Sequence, residues 1–306
     1  MSENVTGLAN QLVQSYVKHG GVNPVDGVNL PSKSAVCQIT QDLLKLLFPG
    51  YFYDQQIHRA ELMVETTNLL ASVCGRMEDE IYKSLEHFPP EGLTKSAFRA
   101  EATDAATSIL KQLPVVREIL RTDTEAAYNG DPAALSREEV IVAYPFIETI
   151  AVQRLSHLLY QRRIPLIPRI MTEWAHSRTG MDLHPGAKIG PYFFIDHGTG
   201  TVIGETSEIG ERVKMYQGVA LIGRSLSGGQ ALRGQKRHPT IDDRVTLYAN
   251  ATIMGGDTRV GPRSTIGANV FLTHSVPADS LVVADDVKVK VSSKLSRKVA
   301  NRDFQI

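Results

Sequence analysis

Two cysteines in 306 residues, Cys37 and Cys74, are too few for a disulfide framework, and no second pair accompanies them to build a metal knuckle. They read as reduced thiols in a cytoplasmic protein. Net charge is equally scarce, since 33 Lys and Arg balance 33 Asp and Glu. Without a basic field, neither nucleic acid nor an anionic membrane is expected as a partner. Long apolar runs are missing too. No window approaches ~18 uninterrupted apolar residues, and the opening "MSENVTGLANQLVQSYV" carries no basic stretch ahead of an apolar core, so neither membrane insertion nor export is expected. What is present is an ordinary apolar fraction of 42%, enough in a chain of this length for one large domain or two ordinary ones.

Up to about residue 180 apolar residues recur at intervals of three and four. This spacing predicts amphipathic helices in "NVTGLANQLVQSYVKHG", "SAVCQITQDLLKLLFPGYF" and "RAELMVETTNLLASVCGRMEDEIYKSLEHF". Two more follow, one ending at Asn129-Gly130 and one running from Phe146 to Thr179-Gly180. Residues 1–180 are expected to form an all-helical domain.

From Leu183 the helical period gives way to a period of six. Aliphatic residues fall at Leu183, Ile189 and Ile195, then after a two-residue slip at Ile203, Ile209, Met215 and Leu221. A second run at Ile241, Leu247 and Ile253 continues after a one-residue slip at Val260, Ile266 and Leu272. A repeat this short has room for one strand and one turn, so three units make a triangular coil of a parallel β-helix. Each aliphatic is expected to point into the prism, and the small residue after it, often glycine, to turn the corner at positive φ. The fold class is therefore α+β, an N-terminal all-helical domain followed by a C-terminal left-handed parallel β-helix of hexapeptide repeats over 181–290. Between the two runs, "GRSLSGGQALRGQKRHPT" at 223–240 breaks the hexads and reads as an extruded loop. Residues 291–306 are polar, free of hexads, and read as a flexible tail.

Of the nine histidines, His157 in "QRLSHLLYQ" reads as a hydrogen-bonded packing residue. His19, His58, His87 and His176 lie near helix ends and carry little information. His184, His197, His238 and His274 fall in the hexad region. His197 stands beside Asp196, with Asp182 roughly one coil earlier, and coils stack ~4.8 Å apart. A carboxylate on one ring nitrogen fixes the tautomer and raises the basicity of the other, which suits a general base. A metal site would need three ligands, for which His197, His238 and His274 could be offered. Arg237 beside His238 is poorly placed next to a divalent metal and well placed for a carboxylate substrate. Acid–base chemistry fits these charges best, with a metal site and a structural role left open.

The blocks "DLHPGAKIG", "IDHGTGTVIGET" and "KRHPTI", behind "NGDPAA" from the helical part, resemble serine O-acetyltransferases over residues 125 to 275. The resemblance implies transfer of acetyl from acetyl-CoA to the L-serine hydroxyl, giving O-acetyl-L-serine and CoA for cysteine biosynthesis, by direct general-base attack and without a metal. By motif, His197 would be the base, Asp182 its orienting partner, and His238 a second active-site histidine holding substrate near the thioester. Arg237 would pair with the serine carboxylate, and Asp131 and Asp196 would bind the amino group. Gly223, Ala249 and Ala268 match positions that hold CoA in the groove between subunits of a homotrimer, which the helical domains pair into a dimer of trimers. L-cysteine would be a feedback inhibitor at the serine site. The terminal Ile306 would insert into the active site of O-acetylserine sulfhydrylase. The loop "LIGRSLSGGQALRGQKRHP" and the segment "ADDVKVKV" depart from the family pattern. An acyltransferase using another acyl-CoA or hydroxy amino acid is therefore the alternative expectation, followed by a zinc-dependent hydratase on the same scaffold.

Overall fold

The computed structural model describes residues 2–20, 30–53, 55–224 and 228–284. Its N-terminal half contains helices α1 (Ser2–Lys18), α2 (Lys33–Leu47), α3 (Leu62–His87), α4 (Phe98–Gly130), α5 (Arg137–Ala143), α6 (Pro145–Gln161) and α7 (Ile167–Thr179). Local chemistry sets several of these boundaries. The Ser32 hydroxyl caps α2 by accepting the Ala35 amide, the Ser136 hydroxyl caps α5 by accepting that of Glu139, and Pro145 opens α6. Gly180 ends α7 in the left-handed conformation at φ 72°. The stretch from Phe146 to Gly180, expected as one helix, divides in two: Pro165 cannot continue the hydrogen-bond ladder, and Leu166 takes φ 60° between the halves. Apolar faces of α2, α3, α4, α6 and α7 meet in one core that includes Leu43, Ile81, Ile109, Leu120 and Ile150. Among the described residues, no helix is long and apolar enough to cross a membrane.

The remaining described chain is a parallel β-solenoid of fourteen short strands in three walls. The first wall stacks β1 (Asp182–Leu183), β4 (Val202–Ile203), β7 (Ala220–Ile222), β10 (Thr252–Met254) and β13 (Phe271–Leu272). The second stacks β2 (Lys188–Ile189), β5 (Glu208–Ile209), β8 (Thr240–Ile241) and β11 (Arg259–Val260). The third stacks β3 (Phe194–Asp196), β6 (Lys214–Tyr216), β9 (Thr246–Leu247), β12 (Thr265–Ile266) and β14 (Leu281–Val282). The hexad aliphatics stack in register, as in Ile203 on Leu221 on Ile253 on Leu272. All are buried except Ile189, which is half-buried.

The corners are built differently from the expectation. Positive φ falls mostly on side-chain-bearing residues, among them Tyr192, Arg212, Arg244, Asn250, Arg263, Asn269 and Asp279. The glycine after the aliphatic is needed instead because the next coil comes too close for a Cβ. One added at Gly190 would lie 2.5 Å from the Gly210 carbonyl oxygen, and one at Gly261 would lie 2.5 Å from the Ala278 nitrogen.

A buried polar joint fixes the helices to the first coil. Arg154 of α6 pairs with fully buried Asp123 of α4 through two hydrogen bonds, at 2.8 and 3.0 Å. The same guanidinium donates to the carbonyls of Ile189 and Gly190, and Asp123 also accepts the Phe193 amide at 2.9 Å. Coil backbone thereby adds three hydrogen bonds to the ion pair.

Candidate active site

The candidate residues gather at two of the three corners. His197 follows β3 at the corner where the third wall turns into the first, with φ 60° like the other corner residues. The turn throws its imidazole outward. The side chain is 72% exposed, and Nδ1 lies 3.8 Å from Asp196 Oδ1. Asp196 ends β3 with little exposure, and Lys214 Nζ lies 3.8 Å from its other oxygen. Lys214 also donates to the Gly130 carbonyl at 2.5 Å, tying the end of α4 to the coil.

That tie brings in Asp131. Its carboxylate accepts the Tyr144 hydroxyl at 2.5 Å and the Ala133 amide at 2.9 Å. These bonds, Tyr144 first, hold Asp131 below the usual carboxylate range, with Lys214 and His197 adding to the effect. The bond to Asp131 pushes the Tyr144 phenol up to about 12. Asp131, Asp196 and His197 thus share one corner although Asp131 belongs to the helical half.

Arg237 and His238 lie across the first wall, at its corner with the second, where the long loop rejoins β8. His238 is 8% exposed, and its ring occupies the space beside Gly204, where a Cβ would fall 2.0 Å from Cδ2 and 2.1 Å from Nε2. Its Nδ1 accepts the Thr206 amide at 3.1 Å and faces the Thr206 hydroxyl at 2.9 Å. The ring proton is therefore assigned to Nε2. Burial, reinforced by Arg237, pulls the imidazole down to about 4, so it is neutral at pH 7. Arg237 gives Nη2 to Glu205, whose other oxygen accepts the Tyr160 hydroxyl from α6 at 2.5 Å. Its Nη1 is buried without a partner among the described residues.

The coil count that placed Asp182 one coil before His197 is corrected by the register. Asp182 pairs with Val202 on the first wall, and Asp196 with Tyr216 on the third. Asp182 is near His197 only around the turn, where Met181 packs so tightly on Gly198 that a Cβ there would lie 2.4 Å from its sulfur. No hydrogen bond or ion pair joins Asp182 to His197 among the described residues. The Asp182 carboxylate instead lies 3.9 Å from Arg169 Nη1 of α7. One polar atom each from Asp182, Glu173 and His176 falls within 4.8 Å of the others, and Arg169 also contacts Glu173. His176 is thus better placed than its position near a helix end suggested.

Ala249 and Ala268 share the His197 corner, two and three coils above it, joined by the Asn269 amide donating to the Ala249 carbonyl at 2.9 Å. Gly223 opens the loop at the His238 corner, where a Cβ would lie 3.4 Å from the Arg237 carbonyl oxygen. The three histidines of the metal alternative do not converge in one chain, since His274 follows β13 at the His238 corner. His157 is a packing residue, its Nδ1 2.7 Å from the Pro185 carbonyl oxygen. Ile306 lies outside the described residues.

Sequence reasoning passed over Glu205, Tyr160, Tyr144, Lys214 and Thr206. Glu205 and Thr206 stood inside the quoted "IDHGTGTVIGET" and "Glu-Thr" could have been weighed there. Tyr160 carried no local signal, because its partner is 45 residues away.

No protein-family model matches the chain. Over 266 residues it is 44% identical to "Serine acetyltransferase, plasmid" of Synechococcus elongatus, covering 83% of this chain and 81% of that protein. It is 40% identical over 188 residues to the serine acetyltransferase of Bacillus subtilis, covering 61% and 83%. Among solved structures, Entamoeba histolytica serine acetyltransferase 1 in complex with L-cysteine aligns with TM-score 0.70 at 35% identity, covering 81% of this chain and 86% of that one. Brucella abortus serine acetyltransferase in complex with coenzyme A aligns with TM-score 0.53 at 25% identity, covering 81% and 93%. The likeness spans both the helices and the solenoid, and with a relative this similar over four fifths of both lengths, the chain belongs to the serine acetyltransferase family.

Proposed function

We propose that the chain performs its family's reaction, moving acetyl from acetyl-CoA to the L-serine hydroxyl to give O-acetyl-L-serine and CoA for cysteine biosynthesis. The supporting observation is the division of charge between the two corners. Two carboxylates, Asp131 and Asp196, stand beside the exposed imidazole of His197, and a guanidinium with an unpartnered nitrogen stands beside neutral His238. An amino acid zwitterion needs an anionic contact at one end and a cationic contact at the other.

In this reading His197 takes the proton from the serine hydroxyl as the oxygen attacks the thioester carbonyl. The tetrahedral intermediate collapses by breaking the carbon–sulfur bond, and the proton passes to the departing CoA sulfur. No protein nucleophile is acylated. His238, with its proton on Nε2, holds the substrate near the thioester. Asp182 acts on His197 from around the turn, oriented by Arg169.

Six residues at ~3.3 Å each set successive corners up to ~20 Å apart. His197 and His238 of one chain therefore cannot serve one serine molecule. The complete site forms where the His197 corner of one copy meets the His238 corner of the next, as in a homotrimer, with CoA along the same groove past Ala249, Ala268 and Gly223. The Brucella complex with coenzyme A and the Entamoeba complex with L-cysteine support CoA as co-substrate and L-cysteine as feedback inhibitor here. Sulfhydrylase binding through Ile306, pairing of trimers and a cytoplasmic location rest on the sequence.

Release of CoA thiol, measured with each amino acid acceptor against acetyl- and succinyl-CoA, tests the reading. It should depend on L-serine and acetyl-CoA together and fall at least ~10²-fold in His197→Ala. Preference for another acceptor or acyl donor would establish the alternative acyltransferase, and wild-type turnover in His197→Ala would remove the base.

A further inference from the structure

The histidine of the Asp-x-His-Pro block, His184, has no part in the reaction as described, yet it is built into the Arg237 corner. It follows β1, one residue past the Leu183–Ile203 pair, which sets it one coil below Gly204. The His238 ring rests against that same glycine, and His238 is among the groups whose charge acts on His184, so both histidines belong to one column of this corner.

Local contacts fix the state of His184. Its Nδ1 accepts the Gly186 amide at 2.9 Å, so the proton of the neutral ring is on Nε2. Its ring stands edge-on to Tyr160, 5.7 Å between centroids and 83° between planes. Tyr160 and Glu205 crowd the same turn, since a Cβ on Gly186 would lie 2.9 Å from Glu205 Cγ and 3.0 Å from Tyr160 Cζ. Glu205 is already satisfied by Tyr160 and by Arg237 Nη2. Three donors are left without a partner among the described residues: Arg237 Nη1, His238 Nε2–H and His184 Nε2–H. A surplus of donors around one guanidinium fits an anion with two acceptor oxygens.

We propose that His184 is a substrate-binding residue, its Nε2–H completing with Arg237 and His238 a receptor for the α-carboxylate of the amino acid acceptor. The inference rests on the serine acetyltransferase reading. Tyr160 is a positioning residue, which holds Glu205 and through it the guanidinium.

Two substitutions separate donation from packing. His184→Asn keeps an acceptor near the Nδ1 position for the Gly186 amide and removes the Nε2 donor. His184→Gln places an amide N–H near the Nε2 position and loses the Nδ1 acceptor. The receptor predicts that His184→Asn raises KM for L-serine ~10-fold, that His184→Gln raises it less, and that KM for acetyl-CoA stays within about twofold in both. With L-serinamide, which has no carboxylate, the Asn variant should match wild type. A purely structural role predicts the reverse order, with the Asn variant near wild type and the Gln variant impaired for both acceptors, and that result would overturn the proposal. Titration calorimetry with L-serine on the wild-type protein separates the two levels: serine-dependent turnover with an unaffected Asn variant sinks only the receptor, whereas neither turnover nor binding in wild type sinks both readings.

Discussion

At the residue scale, the His238 corner depends on a missing side chain. Because a Cβ at Gly204 would fall inside the His238 ring, Gly204→Ala should displace that ring and lower kcat/KM for serine by more than ~10-fold. The displaced ring can swing toward solvent, so the melting temperature should change by only a few degrees, as circular dichroism would measure. Titration of the same corner gives a second expectation. His184 and His238 are both depressed to about 4, mainly by burial, while an unfolded chain would hold them near ~6.5. The unfolded state therefore binds more protons between these values. Stability from the two rings is fully present above ~6.5 and is lost as pH falls toward about 4. Urea midpoints should drop across that window, and replacing His238 with Gln should flatten the drop.

At the element scale, the joint between helices and solenoid is electrostatic and nearly dry. Arg154→Met leaves Asp123 buried with no cation and two fewer hydrogen bonds, which should cost ~3–5 kcal/mol in urea unfolding. Such a joint shows how much of this fold was legible in advance. Hexad aliphatics recur along the chain at intervals of six broken only by short slips and one loop, so the prism can be read from local sequence. Helix periodicity is equally local, although the break at Pro165-Leu166 was lost among apolar residues on both sides. The Asp123–Arg154 pair was invisible, since neither residue has a pattern of its own and the partners come from different helices. The corners differ from the expectation for a related reason: the coil puts Arg, Asn and Tyr at positive φ, and glycine answers to a neighbouring coil that is distant in sequence. His197 and Arg237 could be picked out by motif, but the wall between them could be seen only in three dimensions.

At the scale of the whole molecule, a site split between corners makes activity a property of the assembly. A chain carrying His197→Ala and a chain carrying His238→Ala should each be nearly inactive alone. Unfolded and refolded together, they should recover a substantial fraction of wild-type turnover, because some interfaces pair the intact His197 corner of one chain with the intact His238 corner of the other. Recovery no greater than for either variant refolded separately would show that each chain builds its own site.

The long loop has a consequence of its own for how this chain can change. It departs after β7 and returns at β8, yet β7 pairs with β4 and β10, and β8 pairs with β5 and β11. The stack is addressed by wall and level, and among the described residues between Ile222 and Thr240 there is no strand. Insertions and deletions there leave every later rung in place, whereas the loss of one residue inside a strand would turn the residues that follow it inside out as far as the next corner. Arg237 and His238 sit at the re-entry point of this unaddressed segment, so the lineage could vary what lies over the substrate without moving the groups that hold it.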